Sequence, residues 1–262
     1  MVAPVMDAEP RLAVGVVSLL APDLLDRCVR SLLPQRGLDM SDVAVVANGA
    51  RVLGVCDYWE REQGIGLSVH RPGRNLGTCE SWNRLCRWAW GRGADAALIL
   101  NDDMELLEPG TLEAFAAVYR EGGLRQMRFV MACGFSAVAV TRAVWDEVGE
   151  FDAGFWPAYF EDNDYWRRFT LRGILWDHVM VQSRHEGSGT LKADPQVNAL
   201  NGITFSVNSD RYHAKWGGGP HHETYAEPWN GGPPRPGTRE LISPEVVAKV
   251  EAAYGEADDS WR

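Results

Sequence analysis

The chain has 262 residues, of which 45% are hydrophobic and 24% are charged, and its formal net charge is -10. This composition is typical of a globular protein with one domain or two small ones. The negative charge argues against binding to nucleic acid or to an anionic membrane through bulk charge. We expect no membrane span and no signal peptide, because no apolar run is long enough and residues 1–10 lack a basic and an apolar region. Five cysteines without a Cys-x-x-Cys pair predict free thiols and a cytoplasmic location.

Strands and helices alternate in the first half of the sequence. Short apolar or β-branched runs predict strands at residues 12–19, 43–47, 67–70 and 96–100. One helix begins at Pro22 and ends at Pro34, and another begins at Thr78 and runs to about residue 90. This order predicts right-handed crossovers and an α/β fold with a mostly parallel sheet flanked by helices.

The second half changes in character. The pattern of apolar residues and glycines there predicts strands at residues 129–133, 137–141 and 176–182, helices at Arg142–Val148 and Glu161–Leu171, and a loop at residues 184–190. From residue 192 onward the composition differs again. One amphipathic stretch covers residues 195–212, Gly- and Pro-rich segments follow, and Ser243 with Pro244 begins a last helix.

An acidic turn, Asn101-Asp102-Asp103, follows the apolar strand at residues 96–100. The carboxyl ends of strands in open α/β sheets are where ligands bind. Paired carboxylates at such a place suit a divalent cation, and a cation commonly binds a diphosphate. The alternative is an ordinary solvated acidic turn.

A second acidic cluster begins the helix at Glu161–Leu171. Asp164 precedes Arg168 by four residues, which favours an intrahelical ion pair and a structural role. Glu161 and Asp162 point in different directions, so we interpret Asp162 as a general base and Glu161 as a positioning group. His185 lies in a glycine-flanked loop and, beside a carboxylate, suits Mn2+. A single histidine is more often a surface or core residue than a ligand.

These motifs, in this order, resemble family 2 glycosyltransferases of the GT-A fold over roughly residues 12–190. Arg74-Asn75-Leu76-Gly77 is similar to the family's Asn-Leu-Gly stretch, and Asn101-Asp102-Asp103 stands where its DxD-type motif stands. The most specific match is Gly149-Glu150-Phe151-Asp152 followed by Phe160-Glu161-Asp162-Asn163-Asp164 and Arg168. His185 with Ser188 and Thr190 resembles the histidine loop that completes the metal site in many members.

The resemblance implies inverting transfer of a sugar from a nucleotide-diphosphate donor, with UDP-sugars favoured, to an acceptor hydroxyl. It implies Asp162 as the base, Glu161 as the second candidate, and Asp103 with His185 as ligands of Mn2+ or Mg2+. The expected nucleotide-sugar-binding residues are Ser18, Asn48, Arg71, Asn75, Gly77, Asn83, Asn101 and Asp102. Weaker acceptor-binding candidates are Trp156, Tyr159 and Trp216, for which core packing is the alternative.

The predicted domains are a GT-A catalytic domain at residues 1–191 and a C-terminal extension at residues 192–262, which lies outside the family pattern. Its Gly- and Pro-rich segments are most simply loops, and an acceptor or lid segment is the alternative. Within the catalytic domain, residues 11–103 form the nucleotide-sugar half and residues 104–191 the acceptor half. One departure concerns the turn after the second strand, where the family usually has an acidic residue that contacts the nucleobase. Here that position falls on Asn48, which offers both donors and acceptors, so the nucleotide stays open.

Two other functions explain parts of the sequence. A sugar nucleotidylyltransferase shares the doubly wound half, but residues 18–23 lack the Gly-rich basic loop that this class has after its first strand. A noncatalytic carbohydrate- or metal-binding module explains the acids and aromatics but not the alternation of strands and helices. The acceptor is open among a glycan, a protein side chain, a small metabolite and a hydroxylated nucleobase.

Overall fold

The computed structural model describes residues 9–72, 74–187, 194–252 and 260–261. The strands are β1 Leu12–Ser18, β2 Val43–Ala47, β3 Ser68–Arg71, β4 Ala96–Asn101, β5 Met104–Leu106, β6 Gln126–Val130, β7 Ala137–Thr141, β8 Leu175–Val179, β9 Ser183–His185 and β10 Ser260–Trp261. The helices are α1 Pro22–Leu32, α2 Ala50–Asp57, α3 Gly77–Gly91, α4 Thr111–Gly122, α5 Arg142–Val148, α6 Glu161–Leu171, α7 Pro195–Trp216, α8 Thr238–Leu241 and α9 Pro244–Ala252. Within these residues, no helix combines the length and the apolar character that crossing a bilayer requires.

One mixed sheet organises the fold, with strand order β10-β3-β2-β1-β4-β7-β6-β8 among the described residues. Strands β3, β2, β1 and β4 are parallel to one another, as the strand-helix alternation predicts. Strand β7 is antiparallel to both β4 and β6, and β8 is parallel to β6, so in this half of the sheet β7 runs against β4 while β6 and β8 run in the same direction as β4. A separate antiparallel pair joins β5 to β9.

Two apolar layers cover the two faces of the sheet. Alternate residues of β4 point to opposite faces, so that Leu98 packs in the layer that contains α1, α2 and α4, and Ile99 packs in the layer that contains α3, α5 and α6. Gly15 of β1 allows the close approach of α3, because a Cβ there would lie 2.9 Å from Leu85. The sheet therefore holds its carboxyl-end loops on a rigid base.

The α/β fold class is confirmed, and several element predictions need correction. Helices α2 and α4 and strand β5 were not predicted. The strand expected at residues 176–182 is β8, which ends at Val179, and the loop expected at residues 184–190 overlaps β9, which extends to His185. A three-residue strand such as β9 is too short to show a period in the sequence. Helix α7 runs four residues past the predicted amphipathic stretch, to Trp216.

The C-terminal extension packs against the sheet-bearing part of the chain. Tyr212 and Trp216 of α7 are fully buried and belong to the same apolar cluster as Tyr165 and Phe169 of α6. Val250 of α9 packs with Trp156. The extension is therefore continuous with the core on the α6 side of the sheet, and the predicted boundary near residue 191 stays a prediction.

Candidate functional site

A cavity of about 460 Å³ lies at the carboxyl ends of β1, β2 and β4. This is the edge at which open α/β sheets bind their ligands. The predicted site residues that line it are Ser18, Asn48, Asn75, Gly77, Asn101, Asp102, Asp103, Tyr159, Glu161, Asp162 and His185. Both acidic clusters of the sequence, 59 positions apart when counted from Asp103 to Asp162, therefore face one space.

Asp102 is fixed at the floor of the cavity by β1. Its carboxylate accepts a hydrogen bond from the Ser18 hydroxyl at 2.6 Å, and its backbone N–H donates to the Val17 carbonyl at 3.1 Å. Burial raises the pKa of Asp102 to about 7, although the hydrogen bond from Ser18 opposes the shift. Asp102 is thus a buried acceptor whose charge depends on what binds beside it.

Asp103 and His185 come together through the short β5–β9 pair. Met104 is in register with His185, and the Glu186 N–H donates to the Asp103 carbonyl at 3.2 Å. As a result the His185 Nε2 lies 3.5 Å from the Asp103 Oδ1. Ser188 and Thr190 of the predicted histidine loop lie outside the described residues.

The Asp103–His185 pair fits part of a divalent-metal site. A carboxylate oxygen and an imidazole nitrogen are donors that Mn2+ accepts, and both residues line the cavity. No group of three His, Cys, Asp or Glu side chains capable of holding a metal occurs in the part of the chain that the structure describes. Asp103 and His185 would supply two ligands of such a metal, and phosphate oxygens of a bound substrate and water would suit the other positions.

Asn48 anchors the loop before α3 to the end of β2. Its Oδ1 accepts from the Leu76 N–H at 3.2 Å, and its Nδ2 donates to the Ser81 hydroxyl at 2.7 Å. Asn75 in turn accepts the Gly77 N–H at 2.8 Å. An amide has a second N–H and a second lone pair, so contact between Asn48 and a nucleobase stays a prediction.

Glu161 and Asp162 enter the cavity from the first turn of α6. The chain reaches this turn through Tyr159 and Phe160, whose φ angles of 80° and 70° are unusual for bulky residues. Asp162 accepts a hydrogen bond from the Asn163 N–H at 2.8 Å. The Glu161 Oε2 is buried and has no hydrogen-bond partner among the described residues.

The electrostatic environment separates these two carboxyl groups. Burial raises the pKa of Asp162, and backbone hydrogen bonds oppose that shift. Burial raises the pKa of Glu161 well above its ordinary value, and the adjacent Asp162 charge raises it further. Asp162 is therefore the better candidate for an ionised base, and Glu161 for a neutral hydrogen-bonding acid.

A network of buried charges supports α6 from behind. Asp164 accepts from the Arg168 Nε at 2.8 Å, which confirms the predicted ion pair, and its other oxygen lies 2.5 Å from the Lys215 Nζ. Lys215 also donates to Asp152 at 2.8 Å, and the Arg211 Nη2 lies 3.0 Å from the same Asp152 oxygen. The Gly-x-Phe-Asp segment, α6 and α7 are thus joined by side chains that do not touch the cavity.

Four predicted site residues do not line the cavity as it is described. Arg71 pairs with Asp57 and Glu60, and Asn83 bonds to the backbone of Phe151. Trp156 and Trp216 are both buried. The Trp156 indole donates to the Asn75 carbonyl at 3.1 Å, and the Trp216 indole donates to Asp164 at 2.9 Å. For these two tryptophans the core-packing alternative agrees with the observed contacts.

Several lining residues were not predicted. Phe135 and Ser136 belong to the turn between β6 and β7, and Asn101 donates to the Ser136 hydroxyl at 3.2 Å. Leu200 and Asn201 of α7 close another side of the cavity. An amphipathic stretch was predicted at residues 195–212, but nothing in its pattern indicated where it would pack.

Comparisons with known proteins agree with the fold. Neither the family models nor the curated proteins contain a match to this sequence. Among solved structures, a mannosyltransferase from Pyrobaculum calidifontis in complex with GDP-Man and Mn2+ is similar, with a TM-score of 0.57 and 12% identity over 80% of this chain and 67% of that one. TarS from S. aureus has a TM-score of 0.54 and 12% identity over 78% of this chain and 42% of that one.

GalNAc-T7 with UDP, GalNAc and Mn2+ has a TM-score of 0.52 and 14% identity over 79% of this chain and 51% of that one. The chain thus spans about half the length of the last two structures. At such low identity the likeness concerns the fold, which is that of GT-A glycosyltransferases.

Proposed function

We propose that this chain is a metal-dependent inverting glycosyltransferase that moves a sugar from a nucleoside-diphosphate donor to an acceptor hydroxyl. The main support is the shared cavity, in which Asp102 and the Asp103–His185 pair face Glu161 and Asp162. The first group has the composition of a diphosphate and metal site, and the second has a carboxylate suited to proton removal. The GT-A fold agrees with this assignment but does not establish it.

The donor half of the site is assigned to the carboxyl ends of the parallel strands. Ser18 fixes Asp102 by a hydrogen bond of 2.6 Å, and a fixed acceptor at this edge suits a ribose hydroxyl. The loop that contains Asn75 and Gly77 lies against the same cavity and would contact the nucleotide. A divalent metal on Asp103 and His185 would supply positive charge to the departing diphosphate.

The acceptor half is assigned to the start of α6. Asp162 accepts the proton of the acceptor hydroxyl, the hydroxyl oxygen bonds to the anomeric carbon, and the bond to the diphosphate breaks. Attack by the hydroxyl from the side of the sugar opposite the leaving group inverts the configuration. Glu161, kept neutral by burial, donates a hydrogen bond to a substrate hydroxyl and positions it.

The experiment that tests this function is a sugar-nucleotide panel read by thermal shift, with and without Mn2+. UDP-sugars stand first in the panel, and GDP-sugars second. A donor present at one hundred times its Kd stabilises the native state by about 2.7 kcal/mol, which raises Tm by roughly 5–10 °C. Release of nucleoside diphosphate from the bound donor then reports turnover.

The same panel separates the transferase from its rival. A folded protein that neither binds nor hydrolyses any donor in the presence of Mn2+ would contradict the proposal. That result would leave a noncatalytic carbohydrate- or metal-binding module as the better explanation of the acidic and aromatic residues.

A further inference from the structure

An exposed aromatic side chain extends the cavity at the start of the C-terminal extension. Phe205 of α7 is 42% exposed, and its ring centroid lies 5.4 Å from that of Tyr159, which lines the cavity. On its inner side Phe205 contacts Phe160, at 5.1 Å between centroids, and Phe160 is buried. One part of the Phe205 ring is therefore supported by the core, and another part faces solvent beside the cavity.

The surface of α7 connects this ring to the site. Val197 and Asn201 line the cavity, and Phe205 follows Asn201 by four residues, so that these side chains are neighbours on one helix face. Asn198 is exposed on the adjoining part of the same helix. The lining of the cavity thus continues outward as a rim of amide and aromatic side chains, formed by Asn198, Asn201, Phe205 and Tyr159.

This combination of groups favours one class of ligand. A sugar ring presents an apolar C–H face that can lie against an aromatic ring, and hydroxyls at its edge that amides bind as both donors and acceptors. A lipid chain would bury the two amides without partners, which is unfavourable. A nucleic acid would meet a protein with a formal net charge of -10.

We infer that this rim is an acceptor subsite for a saccharide, on which Phe205 contacts the second sugar of an oligosaccharide while the first sugar reaches Asp162. The inference rests on the proposed transferase function and deepens it by naming the acceptor class. It also gives the C-terminal extension a role in acceptor choice, because the rim combines α7 with the segment that leads into α6.

The test compares acceptor KM values for oligosaccharides of glucose, mannose, galactose and N-acetylglucosamine, each from one to four units long. Nucleoside diphosphate release with the best donor gives the rate. In the wild-type protein we expect a disaccharide of at least one series to have a lower KM than its monosaccharide. In Phe205→Ala that advantage falls by about twofold to tenfold, the size expected for loss of one aromatic contact, and in Phe205→Tyr it is kept.

Ile203→Ala is the matched control, because Ile203 is 47% exposed on the same helix and is not among the described residues that line the cavity. An unchanged oligosaccharide advantage in Phe205→Ala would overturn the inference. The inference would also be overturned if the protein turned over a donor but neither used any of these saccharides as acceptor nor bound them in saturation-transfer NMR. In that case the proposed transferase function would stand. Failure to bind or hydrolyse any donor would remove the transferase and the subsite together.

Discussion

Asp164→Asn is expected to destabilise the native state strongly, although Asp164 lies outside the cavity. Its side chain is fully buried, and it accepts from Arg168, Lys215 and Trp216 at 2.8, 2.5 and 2.9 Å. The substitution keeps the size of the side chain but removes its charge. The surrounding network then contains three cations, Arg168, Arg211 and Lys215, and only one carboxylate, Asp152, where the wild-type protein has two carboxylates.

The expected magnitude follows from the burial of these charges. Removing one partner from a buried ion pair costs about 3–5 kcal/mol, because the other charge stays buried without compensation. For a chain of this size that loss lowers Tm by roughly 6–20 °C. Lys215→Met should cost less, about 2–3 kcal/mol for the lost charged hydrogen bonds, because Asp164 keeps Arg168 and Asp152 keeps Arg211.

A double-mutant cycle tests this expectation. It compares the free energy of urea unfolding of the wild-type protein, the two single variants and the double variant. We expect Lys215→Met to cost less in the Asp164→Asn background than alone, with a coupling of at least about 1 kcal/mol, because it then removes an excess positive charge. Asp146→Asn is the control, since Asp146 and Arg142 form an exposed pair at 3.7 Å and such pairs contribute little. Equal stability of Asp164→Asn and Asp146→Asn would refute the reasoning.

Three further predictions concern the site itself. Asp103→Ala and His185→Ala should each weaken Mn2+-dependent donor binding by about tenfold or more, and metal titration that leaves both variants at the wild-type midpoint would exclude them as ligands. Glu161→Gln should raise Tm at pH 7 but not at pH 4. Burial raises the native pKa of Glu161, so the native state of the wild-type protein loses stability as pH rises above the unfolded pKa of this group. Glutamine does not ionise and therefore avoids that loss. Denaturation showing the same difference at both pH values would contradict this assignment. Gly77→Ala should cost about 2 kcal/mol or more, because Gly77 has a φ of 75° and a Cβ there would lie 2.7 Å from Trp156; unfolding that matches the wild-type protein would show that the loop adapts.

The acidic turn was predictable because it follows a fully buried strand. The apolar run before Asn101 defined β4. The carboxyl ends of the strands in a parallel sheet lie at the edge where ligands bind. The ion pair of Asp164 with Arg168 was predictable for a similar reason, since it depends only on helical spacing. A local sequence pattern was sufficient in both cases, an unbroken apolar run in the first and helical spacing in the second.

The remaining features depend on contacts between distant segments. The approach of His185 to Asp103 was implied by the family resemblance alone, because the strand that carries His185 has three residues and is too short for any period to reveal. Trp216 is buried against Asp164 and Trp156 against Asn75, and neither contact has a counterpart in local sequence. The packing of α7 onto the cavity, through Leu200 and Asn201, is likewise a tertiary choice that an amphipathic pattern does not encode.

Comparison of Asp162→Asn with the wild-type protein tests the central claim most directly. With the donor identified by the panel, we expect the variant to bind it within about threefold of the wild-type Kd, while kcat for transfer falls by about 10²–10⁴, the contribution of a general base. Asp146→Asn serves again as the control for folding and preparation. Transfer by Asp162→Asn at a near wild-type rate would contradict the assignment of Asp162 as the base.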